Sequence, residues 1–212
     1  VRSAGHPADI RVKTGRATYE SDAEPLIRFA AINHGKGQIL YKAVETGREL
    51  DALLHAGTYL GPGEKAIPLE PLAPTARPNR WGPGEFTWRD GAELEASMAV
   101  VGFWPTTEQP RNHVSVAFVQ STDLGVTLRG SEEDLLVWVT SLATGAPVAG
   151  AEVSVGTAST SDAGSGRTNE EGIAVIHLET NPVRTVHAVL VSHGDDRAAL
   201  LLDPRSAVTP AG

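Results

Sequence analysis

Cysteine is missing altogether from these 212 residues. That excludes disulfides, a thiolate nucleophile, structural zinc of the Cys type and iron–sulfur ligation. Both cytosolic and bacterial envelope proteins manage without cysteine, so the compartment stays open. Nor does any apolar run approach the roughly 20 residues that span a bilayer as a helix. Basic residues are the scarcer charge: 18 Lys and Arg stand against 26 Asp and Glu, a net charge of −8. An acidic chain with no basic stripe lacks the footprint of a nucleic-acid binder, and anionic lipid repels it. No nucleic-acid partner and no membrane insertion are expected. The chain opens at Val1 without a charged and apolar leader, which reads as a processed or excised piece.

What is plentiful is punctuation. The 22 glycines and 14 prolines are spread along the whole length, the mark of many short strands joined by turns. A hydrophobic content of 41% suffices for folded cores. Length allows one large β domain or two domains of about 100 residues each.

Period-two patterns dominate the second half. HVSVAFVQ (113–120) sets Val114, Val116 and Phe118 on one face. DLLVWV (134–139) is apolar on both faces, which suits a central strand covered on each side, with Trp138 in the core. AEVSV (151–155) places Ala151, Val153 and Val155 inward. GIAVIHL, RTVHAVLVSHG and RAALLLD are further strands. TGAPVAG, GTASTSDAGSGRTNEEG and HGDDR between them are turn-rich. Strands at this spacing describe a small sandwich of the immunoglobulin-like kind.

The first half is less regular. DIRVKTG (9–15), LIRFAAIN (26–33) and QILYKAV (38–44) read as strands, the last two joined through HGKG (34–37). RELDALLHAG (48–57) spaces Leu50, Leu53 and Leu54 as a short helix ended by Gly57. Residues 61–84 carry six prolines and read as an extended, poorly structured insertion. The boundary falls near residues 119–123, giving domains 1–120 and 121–212. VSVAFVQ runs into STDLGVTLRG with no Pro or Ser/Gly spacer, so a restrained interdomain angle is expected.

QSTDLGVTLRGSEEDLLVWVTSLATGAPVAGAEVSV followed by GRTNEEGIAVIHL resembles a macroglobulin-like domain of the bacterial alpha-2-macroglobulin family. The features are the TDLG opening, the VWVT-L-TG-PV-GA-V core and the T-N-x-x-G-x-A return. EPLIRFAAINHGKGQILYKAV matches another such domain more weakly. The strong likeness covers about residues 119–180. It implies an all-β chain of two tandem macroglobulin-like β-sandwich domains, immunoglobulin-like, seven-stranded and antiparallel. It further implies a place within a broad-spectrum protease inhibitor of the bacterial envelope, in the periplasm or outside the cell. Such inhibitors entrap a protease after it cuts a bait region, and many capture it through a thioester in a Cys-x-x-Gln motif. With no cysteine the present residues hold no thioester, so the implied role is scaffold. The implied partners are other domains of the same parent chain and, through the full-length protein, attacking proteases.

The turn residues fit that role. Gly145 permits a positive φ, Pro147 holds φ near its ring-fixed value, and Gly150 relaxes the return into the next strand. Asn169 and Gly172 do similar work before Ile173.

Sharper chemistry finds little support. The histidines at 6, 34, 55, 113, 177, 187 and 193 have no neighbour spacing, and His187 and His193 stand roughly 20 Å apart along a strand. Asp195, Asp196 and the run Glu132, Glu133, Asp134 read as solvated turn charges rather than a calcium loop. Ser165 lies between glycines in a flexible hairpin loop and not in a Gly-x-Ser-x-Gly elbow. GPGEK (61–65) lacks the ending of a phosphate loop. No catalytic residue, cofactor or metal ligand is therefore expected. Trp81, in PNRWGPGEF, is the candidate partner contact. An adhesion or binding module, of the immunoglobulin or collagen-adhesin kind, is the alternative, because the same turn physics recurs on unrelated surfaces.

Overall fold

The computed structural model describes residues 9–12, 16–19, 21, 26–33, 37–60, 65–69, 80–87, 97–104, 115–131, 133–157, 160, 162–179 and 185–202. The chain divides into two compact units. Val1–Val44 and His55–Gln120 form the first, and Glu45–Leu54 with Ser121–Gly212 form the second.

In the first unit, one sheet joins β1 (Asp9–Val12), β3 (Leu26–Ile32) and β6 (Gly82–Thr87). The other runs β2 (Arg16–Tyr19), β8 (Ser115–Ser121), β7 (Met98–Trp104), β4 (Gly37–Ala43) and β5 (Lys65–Leu69). Alternation along β3 turns Ile27, Phe29 and Ala31 into a core shared with Ile39 and Tyr41, Ala99, Val101 and Phe103, and Ala117 and Val119. The Phe29 and Phe103 rings meet there at 5.0 Å, tilted by 40°. Gly84, opposite Phe29 on the neighbouring strand, leaves that ring its space: a Cβ there lies 2.3 Å from Cε2. The described strands number eight, one beyond the seven of the expected pattern.

Two of these strands correct the reading of 61–84 as an unstructured insertion. β5 pairs with β4 and β6 with β3, so residues 65–69 and 82–84 of the proline-rich stretch are sheet, while residues 61–64 and 70–79 lie outside the described residues. Pro68 and Pro83 fall on β5 and β6, both edge strands, the places in a sheet to which proline is confined. The expected helix at 48–57 is two pieces, α1 (Glu49–Leu54) and α2 (Ala56–Tyr59), and Gly57 sits inside α2 rather than ending the first. His34 and the rest of the turn at 34–36 lie outside the described residues.

In the second unit the described residues form seven strands. β9 (Leu124–Gly130), β10 (Asp134–Ser141) and β13 (Ile173–His177) form one sheet in the order β13-β10-β9. β11 (Glu152–Thr157), β12 (Gly164–Arg167), β14 (Val186–His193) and β15 (Asp196–Leu201) form the other, ordered β12-β11-β14-β15. Leu135, Val137 and Val139 face Val153, Val155, Val189 and Val191 in one apolar core. β12 falls within a stretch read as loop, and Ser165 pairs with Ser154 on it instead of lying in a flexible turn. Its glycines hid it from a β-propensity reading. They are there for packing: a Cβ at Gly164 would lie 2.9 Å from Leu178 Cδ2, and one at Gly166 3.3 Å from Ile176 Cγ1.

Candidate functional site

The signature residues converge on one end of the second unit. After β10 the chain turns back through Gly145, at φ +71°, whose N–H donates to the Ser141 carbonyl at 2.8 Å. Pro147 then bridges to Thr140, and Val148 N–H donates to the Val139 carbonyl at 3.0 Å. Gly150, at φ +74°, carries the chain across to the other sheet, its N–H donating to the Thr168 carbonyl at 2.9 Å. Gly172, at φ +73°, arrives from the second turn and accepts from Val139 N–H at 2.8 Å. A Cβ there would stand 2.4 Å from the Val139 oxygen and 3.1 Å from Pro147 Cβ, so glycine is required twice over.

Thr168 fastens this clasp. It is buried, its hydroxyl donates to the Val148 carbonyl at 2.7 Å, and the same oxygen accepts from Ala151 N–H at 2.8 Å. Asn169 Oδ1 accepts from Ile173 N–H at 2.8 Å, closing the second turn. The two halves of the signature, about 20 residues apart, are thus one hydrogen-bonded object.

A second polar cluster was not legible in the sequence. Asp123 Oδ2 accepts from the Ser141 hydroxyl and Oδ1 from Ala143 N–H, both at 2.8 Å. Its own N–H donates to Asp196 Oδ2 at 2.9 Å, and Asp196 Oδ1 accepts from Arg197 N–H at 2.8 Å. Asp196 is therefore a partly buried organiser of backbone, where a solvated turn charge was expected. Nearby Thr122, wholly buried, accepts from Leu124 N–H at 3.0 Å. A possible signal was the TDLG motif itself, since Thr and Asp side chains of this kind bond to backbone a few residues away.

Trp138 corrects the expectation of a covered strand. It is 44% exposed and Val175 61%, on the outward face of the β13-β10-β9 sheet. β10 is central in its sheet yet covered on one face only: Leu135, Val137 and Val139 take the core, and Leu136 and Trp138 point away from it. Across this face Trp138 is flanked by Thr127 and Ile173, and Leu136 by Arg129 and Val175. His177 Nδ1 and Asp134 Oδ1 meet at its rim at 3.1 Å.

Trp81 is 43% exposed, and the Arg11 guanidinium lies over its ring at 4.7 Å from the centroid. The side chains of Trp88 and Trp104 fall outside the described residues. Among the titratable groups, burial holds the Tyr19 phenol above its ordinary value against the opposing charge of Arg28. Among the described residues no three His, Asp or Glu side chains group as a metal site, and His187 instead sits 2.7 Å from the Thr185 carbonyl. No described helix is long and apolar enough to cross a membrane.

The second unit is a two-sheet β-sandwich whose Thr-Gly…Pro-Val-x-Gly turn is clasped by a second glycine turn. Residues 121–211 match the family described as bacterial alpha-2-macroglobulin MG3 domain. Residues 121–211 are thus similar to a domain of the bacterial alpha-2-macroglobulin family. Among curated proteins none matches the sequence.

Solved structures agree on the fold. Native alpha-2-macroglobulin from Escherichia coli spanning domains MG0-NIE-MG1 superposes with a TM-score of 0.67 at 13% identity, over 92% of this chain and 64% of that one. The E. coli piece spanning NIE-MG1 gives 0.65 at 13%, over 92% and 97%. A mutant of Salmonella alpha-2-macroglobulin gives 0.71 at 14%, over 95% of this chain and 12% of that one. The present chain thus spans just under two thirds of the first and a small part of the Salmonella protein.

Proposed function

We propose that the chain is a framework portion of a bacterial alpha-2-macroglobulin-like inhibitor that entraps attacking proteases. The match of residues 121–211 to the MG3 domain carries this reading. The signature residues support it, because Gly145, Pro147 and Gly172 shape the turns beside β10 while Gly150 and Thr168 tie them to the other sheet. The physical contribution of such a domain is shape: a rigid two-layer sandwich that holds neighbouring domains of the parent chain in place. Attacking proteases are met by the full-length protein, in the periplasm or at the cell envelope, and no enzymatic step belongs to this portion.

The direct test incubates the full-length parent protein with a panel of proteases and follows their action on a large protein substrate. Loss of that action with the parent, and none with the 212-residue chain alone, is the expected pattern. Inhibition by the chain alone overturns the framework reading.

A further inference from the structure

Residues 45–54 lie between β4 and β5, strands of the first unit that pair with one another, yet they belong to the second unit by contact. α1 packs on β14 and β15. Those strands turn Val189, Val191 and Ala198 into the core, which leaves Ala188, Leu190, Ser192, Arg197, Ala199 and Leu201 on the outward face. Ala188 and Ala199 are nevertheless buried, at 0% and 5% exposure. Small side chains at the centre of that face admit a helix at close range.

The segment is cut to fit. Leu50, Ala52 and Leu53 are buried, while Arg48 and Asp51 pair with each other on its wetter side. Glu49 is 3% exposed, a position a carboxylate holds only when paired. Its partner is Arg197, with Nη1 to Oε1 at 2.6 Å, and the same nitrogen donates to Thr46 Oγ1 at 3.0 Å. Arg197 is itself positioned by Asp196 through its backbone N–H. A helix of six residues does not stand alone in water, so the fold of α1 depends on this docking. The MG3 match begins at residue 121 and does not include the segment.

We propose that residues 45–54 are a built-in ligand of the β14–β15 face, selected by the Glu49–Arg197 pair, and that the MG3-matched unit folds as this segment together with the chain from Ser121 onward. The face takes a short apolar helix led by a carboxylate, and its occupant is the chain's own.

Hydrogen exchange followed by mass spectrometry on the intact 212-residue chain tests this, comparing the parent sequence with Glu49→Arg, Arg197→Glu and the double exchange. Peptides covering 45–54 are protected in the parent. Each single reversal raises exchange there and in 186–201 by about tenfold or more, and the double variant recovers most of the protection. Should a reversal not accumulate as folded protein, Glu49→Gln replaces it and is read in the same way. Free-peptide exchange of 45–54 in the parent overturns the proposal, as does indifference to the single changes. Failure of the double variant to recover removes the pair as selector. Protection that fades on dilution assigns the occupant to a second copy and overturns the intramolecular docking.

Discussion

The second unit has two outward sheet faces, and they are finished differently. On β14 and β15 the centre is small, Ala188 and Ala199, and a ten-residue segment from elsewhere in the chain lies over it. On β13, β10 and β9 the centre is large, Trp138 and Val175, and both are exposed. Each sheet is also secured by its own device: the covered one by the Glu49–Arg197 pair, the open one by the glycine clasp that grips β10 through Val139. The same alternation therefore yields opposite surfaces: the small residues lie under a docked segment, and the large ones stand in solvent.

This contrast can be broken at several points. The largest effect is expected from Gly172→Val, which forces a β-branched residue into positive φ and against the Val139 carbonyl. A loss of about 3–5 kcal/mol is expected, and urea unfolding watched by hydrogen exchange in β10 peptides measures it. Gly145→Ala, with nothing near the new Cβ, is the matched control and loses about 1 kcal/mol.

On the covered face, Arg197→Ala leaves Glu49 buried without its cation. The expected cost is about 3 kcal/mol, visible as a lower urea midpoint for β14 peptides than for those of unit 1. Leu53→Ala removes buried apolar volume from the docked segment and costs about 2 kcal/mol by the same readout.

Trp138→Thr on the open face is expected to leave the unfolding midpoint within about 0.5 kcal/mol of the parent. A destabilisation like that of Leu53→Ala would place Trp138 under cover and erase the contrast.

Tyr19, outside this unit, carries the smallest effect. Its folded pKa lies above the unfolded value of 10.0, so its contribution is complete below that pH and is lost as pH rises through the folded value. Tyr19→Phe flattens the alkaline limb of stability against pH, and urea midpoints at stepped alkaline pH check it.

Much of this was legible in linear order. AEVSV faces its core with Ala151, Val153 and Val155, as alternation requires, since a one-residue slip would bury Glu152. The turns were legible at Gly145, Gly150 and Gly172 because positive φ selects glycine. β12 was not, because its glycines answer to Ile176 and Leu178 across the sandwich, a demand that no local propensity records. β5 was hidden in the same way by a proline that only an edge position excuses. Asp196 looked like a solvated charge until the Asp123 backbone was seen to donate to it.

The sequence alone settled the all-β class and the strand-and-turn rhythm and carried the family resemblance, because those follow from side-chain period, backbone conformation and a local signature. Tertiary structure decided which faces are covered. Trp138 and Leu53 are both large and apolar, and nothing in their local sequence tells solvent from a docked neighbour. Cover is a property of what arrives from far along the chain: Glu49 meets Arg197 across 148 residues, and no periodicity reaches that distance.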